Sequence, residues 1–127
     1  MRVLLADDQA KVRSALRLLL EQLPDAEILG EAVDTTGLLD WVRAIKPDLI
    51  LLDWELPGLP ATTLLPILQS HHPNLRVIAL SGRPEARKAA LETGVHAFVS
   101  KGDPPEGLLA VIKDCTGFDS CLLYTSP

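Results

Sequence analysis

Apolar positions recur along the chain in two alternating rhythms. Val3-Leu4-Leu5-Ala6 is a short continuous run that stops at Asp7-Asp8, and Val12, Leu16, Leu19, Leu20 and Leu23 follow at helical spacing. Pro24-Asp25 ends that helix, and the segment from Glu27 to Val33 reads as a second strand. Leu38, Leu39, Val42 and Ile45 mark an amphipathic helix that ends before Pro47. Leu49-Ile50-Leu51-Leu52 is apolar throughout and runs into Asp53, the pattern of a strand covered on both faces.

After the loop from Glu55 to Pro60, a helix carries Leu64, Leu65, Ile67 and Leu68; Pro66 within it predicts a kink or a late start. Pro73-Asn74 resets the chain for a strand from Arg76 to Leu80, which ends at Ser81-Gly82. Pro84 suits the first position of a helix through Glu92, with Gly94 as its stop. Val95 to Ser100 reads as a fifth strand, and Pro104-Pro105 opens a last helix carrying Leu108, Leu109, Val111 and Ile112. From Cys115 onward neither period persists. Residues 1–114 are therefore expected to form one domain, and 115–127 an irregular tail that is a linker remnant or non-native sequence. Strict alternation of five strands and five helices predicts a parallel sheet, right-handed crossovers and helices on both faces.

Composition narrows the function classes. At 127 residues there is room for one domain, and 47% hydrophobic with 23% charged residues excludes a disordered chain. A domain of this size buries roughly two thirds of its unfolded surface, enough for a core without staples. No apolar run is long enough to span a bilayer, and no leader-like segment opens the sequence. The net charge is −5, and the nearest approach to a basic cluster, Arg83, Arg87 and Lys88, is interrupted by Glu85, so direct nucleic-acid binding is not expected. The two cysteines, Cys115 and Cys121, both lie near the end; a reducing cytoplasm fits better than a small tail disulfide.

In a parallel α/β sheet the site lies at the carboxyl ends of the strands. Asp7 and Asp8 stand there after the first strand, Asp53 after the third, Ser81 after the fourth, and Ser100-Lys101 after the fifth. Crowded carboxylates repel one another unless a cation sits among them, and oxygen ligands with open positions suit Mg²⁺. A Lys ammonium adds a compact charge for a carboxylate or phosphoryl oxygen, and a Ser hydroxyl can donate to that oxygen. Together they supply what reversible phosphorylation of an Asp requires: nucleophile, metal and donors. Each residue also has a plainer reading. Asp7-Asp8 could cap the next helix, Asp53 could be a loop acid before a turn, and Lys101 could be simply solvated. Ser81 could start the turn before Pro84. His71 and His72 read as helix-end cations rather than ligands.

Four motifs carry a resemblance: Leu5-Ala6-Asp7-Asp8, the segment from Leu51 to Gly58, Ala79-Leu80-Ser81-Gly82, and Phe98-Val99-Ser100-Lys101. In this order and at these intervals the chain resembles the receiver domain of two-component response regulators over about residues 1–114. The run from Phe98 to Asp103 is similar to the NarL/LuxR-type branch, whose C-terminal helix-turn-helix output domain is absent here. The resemblance implies a flavodoxin-like (βα)5 doubly wound sheet of strand order 2-1-3-4-5. It implies that Asp53 accepts a phosphoryl group from a sensor histidine kinase. Asp8, Asp53 and the main-chain carbonyl of Glu55 would hold Mg²⁺, with Asp7 acting through water. Lys101 would contact the phosphoryl group, Ser81 would be the switch hydroxyl, and Phe98 the aromatic that moves inward on switching. Such a domain serves as a protein substrate in a bacterial-type cytoplasm, not as a turnover enzyme, with dimerisation on phosphorylation as one output and DNA reached only through the missing domain.

Gly102 stands where many receivers have a proline, so a more flexible last loop is expected. Glu55 and Arg83, opposite charges on adjacent strand-end loops, are expected to pair and tune the lifetime of the phosphate. The alternative is a pseudo-receiver, an interaction module independent of phosphorylation. A flavodoxin-like cofactor protein would need a Gly- and hydroxyl-rich loop where Asp7-Asp8-Gln9 stands. An Asp-nucleophile phosphatase would carry a second Asp where Glu55 stands.

Overall fold

The computed structural model describes residues 1–116. Each short apolar run becomes a strand: β1 (Arg2–Ala6), β2 (Glu27–Ala32), β3 (Leu49–Asp53), β4 (Arg76–Ser81) and β5 (Ala97–Ser100). Between and after them lie α1 (Ala10–Leu20), α2 (Thr35–Ala44), α3 (Ala61–His71), α4 (Arg87–Thr93) and α5 (Pro105–Thr116). The strands pair in parallel in the order β2-β1-β3-β4-β5, as expected.

Because successive strand residues point to opposite faces, the central strands feed two separate cores. Leu4, Ile50, Leu52, Val77 and Ala79 pack with Leu38 and Val42 of α2 and Leu64, Leu65 and Leu68 of α3. Val3, Leu5, Leu49, Leu51, Ile78 and Leu80 pack with Leu16, Leu19 and Leu20 of α1 and Leu108 and Ile112 of α5. All five residues of β3 are buried, which explains its unbroken apolar run. Asp48 pins the entry to this strand. Its Oδ2 accepts the Arg2 N–H at 2.7 Å. Its own N–H donates to the Arg2 carbonyl at 2.8 Å, and its carbonyl accepts the Arg76 N–H at 3.1 Å.

Several boundaries differ from the sequence expectation. α3 starts at Ala61 and runs through Pro66, so there is no late start; Pro66 is exposed, and the donor it lacks falls on the solvent side. The expected single helix from Pro84 to Glu92 is divided into a 3₁₀ turn, Pro84–Ala86, and α4. Gly94 does end α4, with φ +116°, a conformation glycine adopts without penalty. β5 begins at Ala97 rather than Val95. His96 ahead of it exchanges bonds with Val77: its N–H donates to the Val77 carbonyl at 2.8 Å, and its Nδ1 accepts the Val77 N–H at 3.1 Å. α5 extends to Thr116, past the expected boundary at 114, so Cys115 belongs to a helix and not to an irregular tail. The remainder of that tail, with Cys121, lies outside the described residues.

Candidate functional site

The carboxyl ends of β1, β3, β4 and β5 bring the expected residues to one place. Asp7 is 1% and Asp53 3% exposed, while Asp8 is open to solvent. One carboxylate oxygen from each of the three lies within 4.8 Å of the others. The Asp7 N–H donates to the Ala32 carbonyl at 3.0 Å, tying the acidic loop to β2. Asp7 Oδ1 accepts the Gln9 N–H at 2.9 Å, one residue ahead of α1, and the N-cap Gln9 has no side-chain cap, so the plainer capping reading of Asp7-Asp8 is not what the structure forms. The other Asp7 oxygen remains committed to the pocket.

Lys101 reaches in from the end of β5. Its Nζ stands 2.8 Å from Asp7 Oδ2 and 3.4 Å from Asp53 Oδ1, and its own N–H donates to the Ser81 carbonyl at 2.8 Å. Asp7 Oδ2 is a buried oxygen whose one close partner among the described residues is this ammonium. Burial pushes the Asp53 carboxyl above the usual carboxylate range, and the Asp7 charge adds to this; the Glu55 N–H, donating to Asp53 Oδ1 at 3.0 Å, and Lys101 pull the other way. Burial alone would lower the Lys101 ammonium, but the Asp7 and Asp53 carboxylates outweigh it and hold it above its ordinary value. A dense set of hard oxygen donors, one from each of three aspartates and two of those buried, fits a small divalent cation such as Mg²⁺.

Ser81 is fully buried. Its hydroxyl donates to both carboxylate oxygens of Glu55, at 2.9 Å each, and accepts the Arg83 N–H at 3.0 Å. The expected ion pair between Glu55 and Arg83 is not formed. The Arg83 guanidinium turns to Glu85, two residues away, at 3.4 Å, because a local partner orders less chain than one across the site. Phe98 already occupies the core beneath α3 and α4, 6% exposed, with the Arg87 guanidinium 6.0 Å from its ring centroid. Its side chain thus stands in the inward position toward which movement is expected on switching.

Two supports of the site escape sequence reading. Arg13 on α1 donates to the Asp7 carbonyl at 2.8 Å and to Glu31 at 2.5 Å, while Arg17 engages the other oxygen of Glu31. Arg17, then Arg13, hold the Glu31 carboxyl below its usual range against the opposing effect of burial. Only the charge pattern hints at this cluster, since it forms only once β1 and β2 pair. Arg13 is the more enclosed and, of the two arginines, the one that bonds the Asp7 loop. Arg13→Ala is therefore expected to cost about 1–2 kcal/mol, and Arg17→Ala under about 0.5 kcal/mol, read as a difference in urea midpoint. The second support is a joint between the β3–α3 loop and α2. The Thr35 N–H donates to the Pro57 carbonyl at 2.9 Å, and Thr35 Oγ1 accepts the Leu59 N–H at 2.9 Å.

Comparison with known proteins gives a consistent set. The sequence profile described as "Response regulator receiver domain" matches residues 3–113. The chain is 38% identical over 109 residues to a protein-glutamate methylesterase/protein-glutamine glutaminase of Geobacter sulfurreducens, covering 84% of this chain and 29% of that protein. It is 30% identical over 122 residues to the nitrate/nitrite response regulator protein NarL of Escherichia coli, covering 94% of this chain and 56% of that protein. The structure of RcsB from Salmonella enterica, bound to promoter rprA in the presence of phosphomimetic BeF3−, superposes with a TM-score of 0.81 at 27% identity, covering 88% of this chain and 65% of that one. The signal receiver domain of NarL from Mycobacterium tuberculosis gives 0.79 at 27% identity, covering 90% of this chain and 94% of that one. The chain thus spans about a quarter to just over half of the curated relatives it matches.

Proposed function

Because the chain belongs to the response regulator receiver domain family, we propose that it is a phosphoacceptor switch, taking a phosphoryl group onto Asp53 from a phosphohistidine of a sensor kinase. The carrying observation is the buried Asp53 carboxylate with Lys101 Nζ at 3.4 Å and Asp7 and Asp8 alongside. A carboxylate oxygen of Asp53 attacks phosphorus, the phosphorus–nitrogen bond to the donor histidine breaks, and the ring nitrogen keeps the electron pair. Lys101 orients and neutralises a phosphoryl oxygen. Asp8, Asp53 and the Glu55 carbonyl would hold Mg²⁺ directly and Asp7 through water. Bound there, the ion neutralises charge developing on the transferred group.

The domain acts as a signalling substrate in a bacterial-type cytoplasm and not as a turnover enzyme in its own right, although methylesterase relatives join an enzyme to the matching domain. The structures of RcsB bound to promoter DNA, and of RcsB dimers bound to DNA, support an output through dimerisation and a DNA-binding domain beyond this segment, with no direct nucleic-acid contact by the receiver itself. No helix among the described residues is long and apolar enough to cross a membrane. A pseudo-receiver that only binds partners would have no use for Asp7, Asp8, Asp53, Ser81 and Lys101 together.

The test is intact mass after acetyl phosphate with Mg²⁺, on the full chain and on Asp53→Ala, with tryptophan emission followed on the same samples. Trp54 adjoins Asp53 and is half-buried against the core, so it is placed to report on the pocket. One added phosphoryl group, absent in the variant, is the expected result. No added mass and no response to the metal would leave the pseudo-receiver.

A further inference from the structure

The Ser81 hydroxyl has one proton to give, and in this structure it is already given. Both Glu55 oxygens sit 2.9 Å from Ser81 Oγ and share that proton. The Arg83 N–H occupies an acceptor lone pair at 3.0 Å. Ser81 is 0% exposed, so water cannot substitute for either partner. Glu55 in turn has no cationic partner among the described residues, since Arg83 is taken by Glu85 and Lys101 by the two aspartates.

We propose that Glu55 is a latch on Ser81: its carboxylate holds the buried hydroxyl away from the phosphoacceptor until a phosphoryl group on Asp53 displaces it. This rests on the phosphoacceptor reading above. Glu55 is coupled to Asp53 directly, because its N–H donates to Asp53 Oδ1 at 3.0 Å. A phosphoryl group on Asp53 brings further negative charge and three strong acceptor oxygens to that point. The new charge repels the Glu55 carboxylate while its oxygens compete for the same hydroxyl proton. The hydroxyl serves one acceptor at a time, so the Glu55 bond opposes occupation of the site, and its release is part of the switch. Glu55 is a positioning residue here, acting through Ser81.

The experiment is a double-mutant cycle on the full chain, reading the affinity for beryllofluoride at saturating Mg²⁺ by ¹⁹F resonance of the bound fluorides. Glu55→Ala should tighten binding by roughly 3- to 10-fold, because a hydrogen bond to a charged acceptor no longer has to be exchanged. In a Ser81→Ala background the same change should bring little or no gain. Glu55→Gln, which keeps an acceptor oxygen but no charge, should fall between. An equal gain in both backgrounds would show simple charge repulsion and overturn the latch, as would no gain in Glu55→Ala. Absence of bound fluoride signal in every protein, with no phosphoryl mass on Asp53, would instead sink the phosphoacceptor reading itself.

Discussion

A Lys101→Met variant should lose roughly 2–3 kcal/mol of stability at neutral pH without divalent cations. The ammonium it removes lies 2.8 Å from Asp7 and 3.4 Å from Asp53, both buried. Two carboxylates then face each other with no cation between them. The loss falls below that for a fully enclosed pair because the Lys101 side chain is 23% exposed and water screens it. The sign with pH follows from proton binding. In the variant the folded-state Asp53 value, already raised by burial, loses the opposing pull of Lys101 and rises further above its unfolded one, so the folded protein binds more protons just above the ordinary carboxylate range. Stability should therefore return as pH falls through that window. In the parent, the raised Lys101 value supplies stability that is present below the ordinary lysine range and is lost as pH rises through the folded value. Urea unfolding at pH 7.5 and 5.5, with and without Mg²⁺, checks the first, and unfolding of the parent at pH values carried above the ordinary lysine range checks the second; a variant as stable as the parent at neutral pH would contradict the account. Acetyl phosphate labelling should also slow, by about 10²-fold, if Lys101 neutralises a phosphoryl oxygen in the transition state.

Gly58→Ala should cost roughly 2–4 kcal/mol, a large share of the stability of a single domain. Gly58 has φ +117°, and a Cβ there would stand 2.0 Å from Thr35 Oγ1. Thr35 is buried and cannot retreat, since its N–H and Oγ1 are both bonded to the loop that carries Gly58. Part of the cost is backbone strain and part is the collision, and the two separate. In a Thr35→Ala background Gly58→Ala should still cost the strain but no longer the collision, so thermal melting should show a smaller loss from Gly58→Ala there than in the parent. No loss at all in that background would mean that the left-handed conformation there is of little consequence.

The parallel sheet was legible because the chemistry of burial leaves a mark in sequence, while its strand order came from the family resemblance alone. Leu49 to Leu52 could only be a strand covered on both faces, and it is. The acid pocket was legible for a related reason: Asp7 and Asp53 follow apolar runs directly and Lys101 follows the last strand residue, Ser100, so the strands carry them to one edge. What lay hidden depends on side-chain direction. Opposite charge suggested Glu55 with Arg83, but charge alone does not say where a flexible side chain turns, and a buried hydroxyl held Glu55 more firmly than a distant guanidinium could. Arg13 was equally silent, because its partners Asp7 and Glu31 become its neighbours only once β1 and β2 pair. Pro66 misled in the opposite direction: a residue that breaks helices in general is tolerated on an exposed turn whose ends are held by packing.

The hydrogen bonds at Asp48 bear on how this domain tolerates changes in length. Every position of β3 before Asp53 is apolar, and either core would accept any of them, so the strand's own pattern does not fix its register. The register is fixed upstream, where Asp48 bonds to Arg2 and Arg76. Deleting one residue between Leu49 and Leu52 would leave a sheet that still packs. It would, however, draw Asp53 back by about 3.3 Å and turn it to the opposite face. An added residue at Pro73-Asn74, on the far edge of the sheet, would be absorbed in the turn before β4. Lineages of this domain should therefore vary freely in loop length at that far edge, while the four-residue spacing between Asp48 and Asp53 stays invariant.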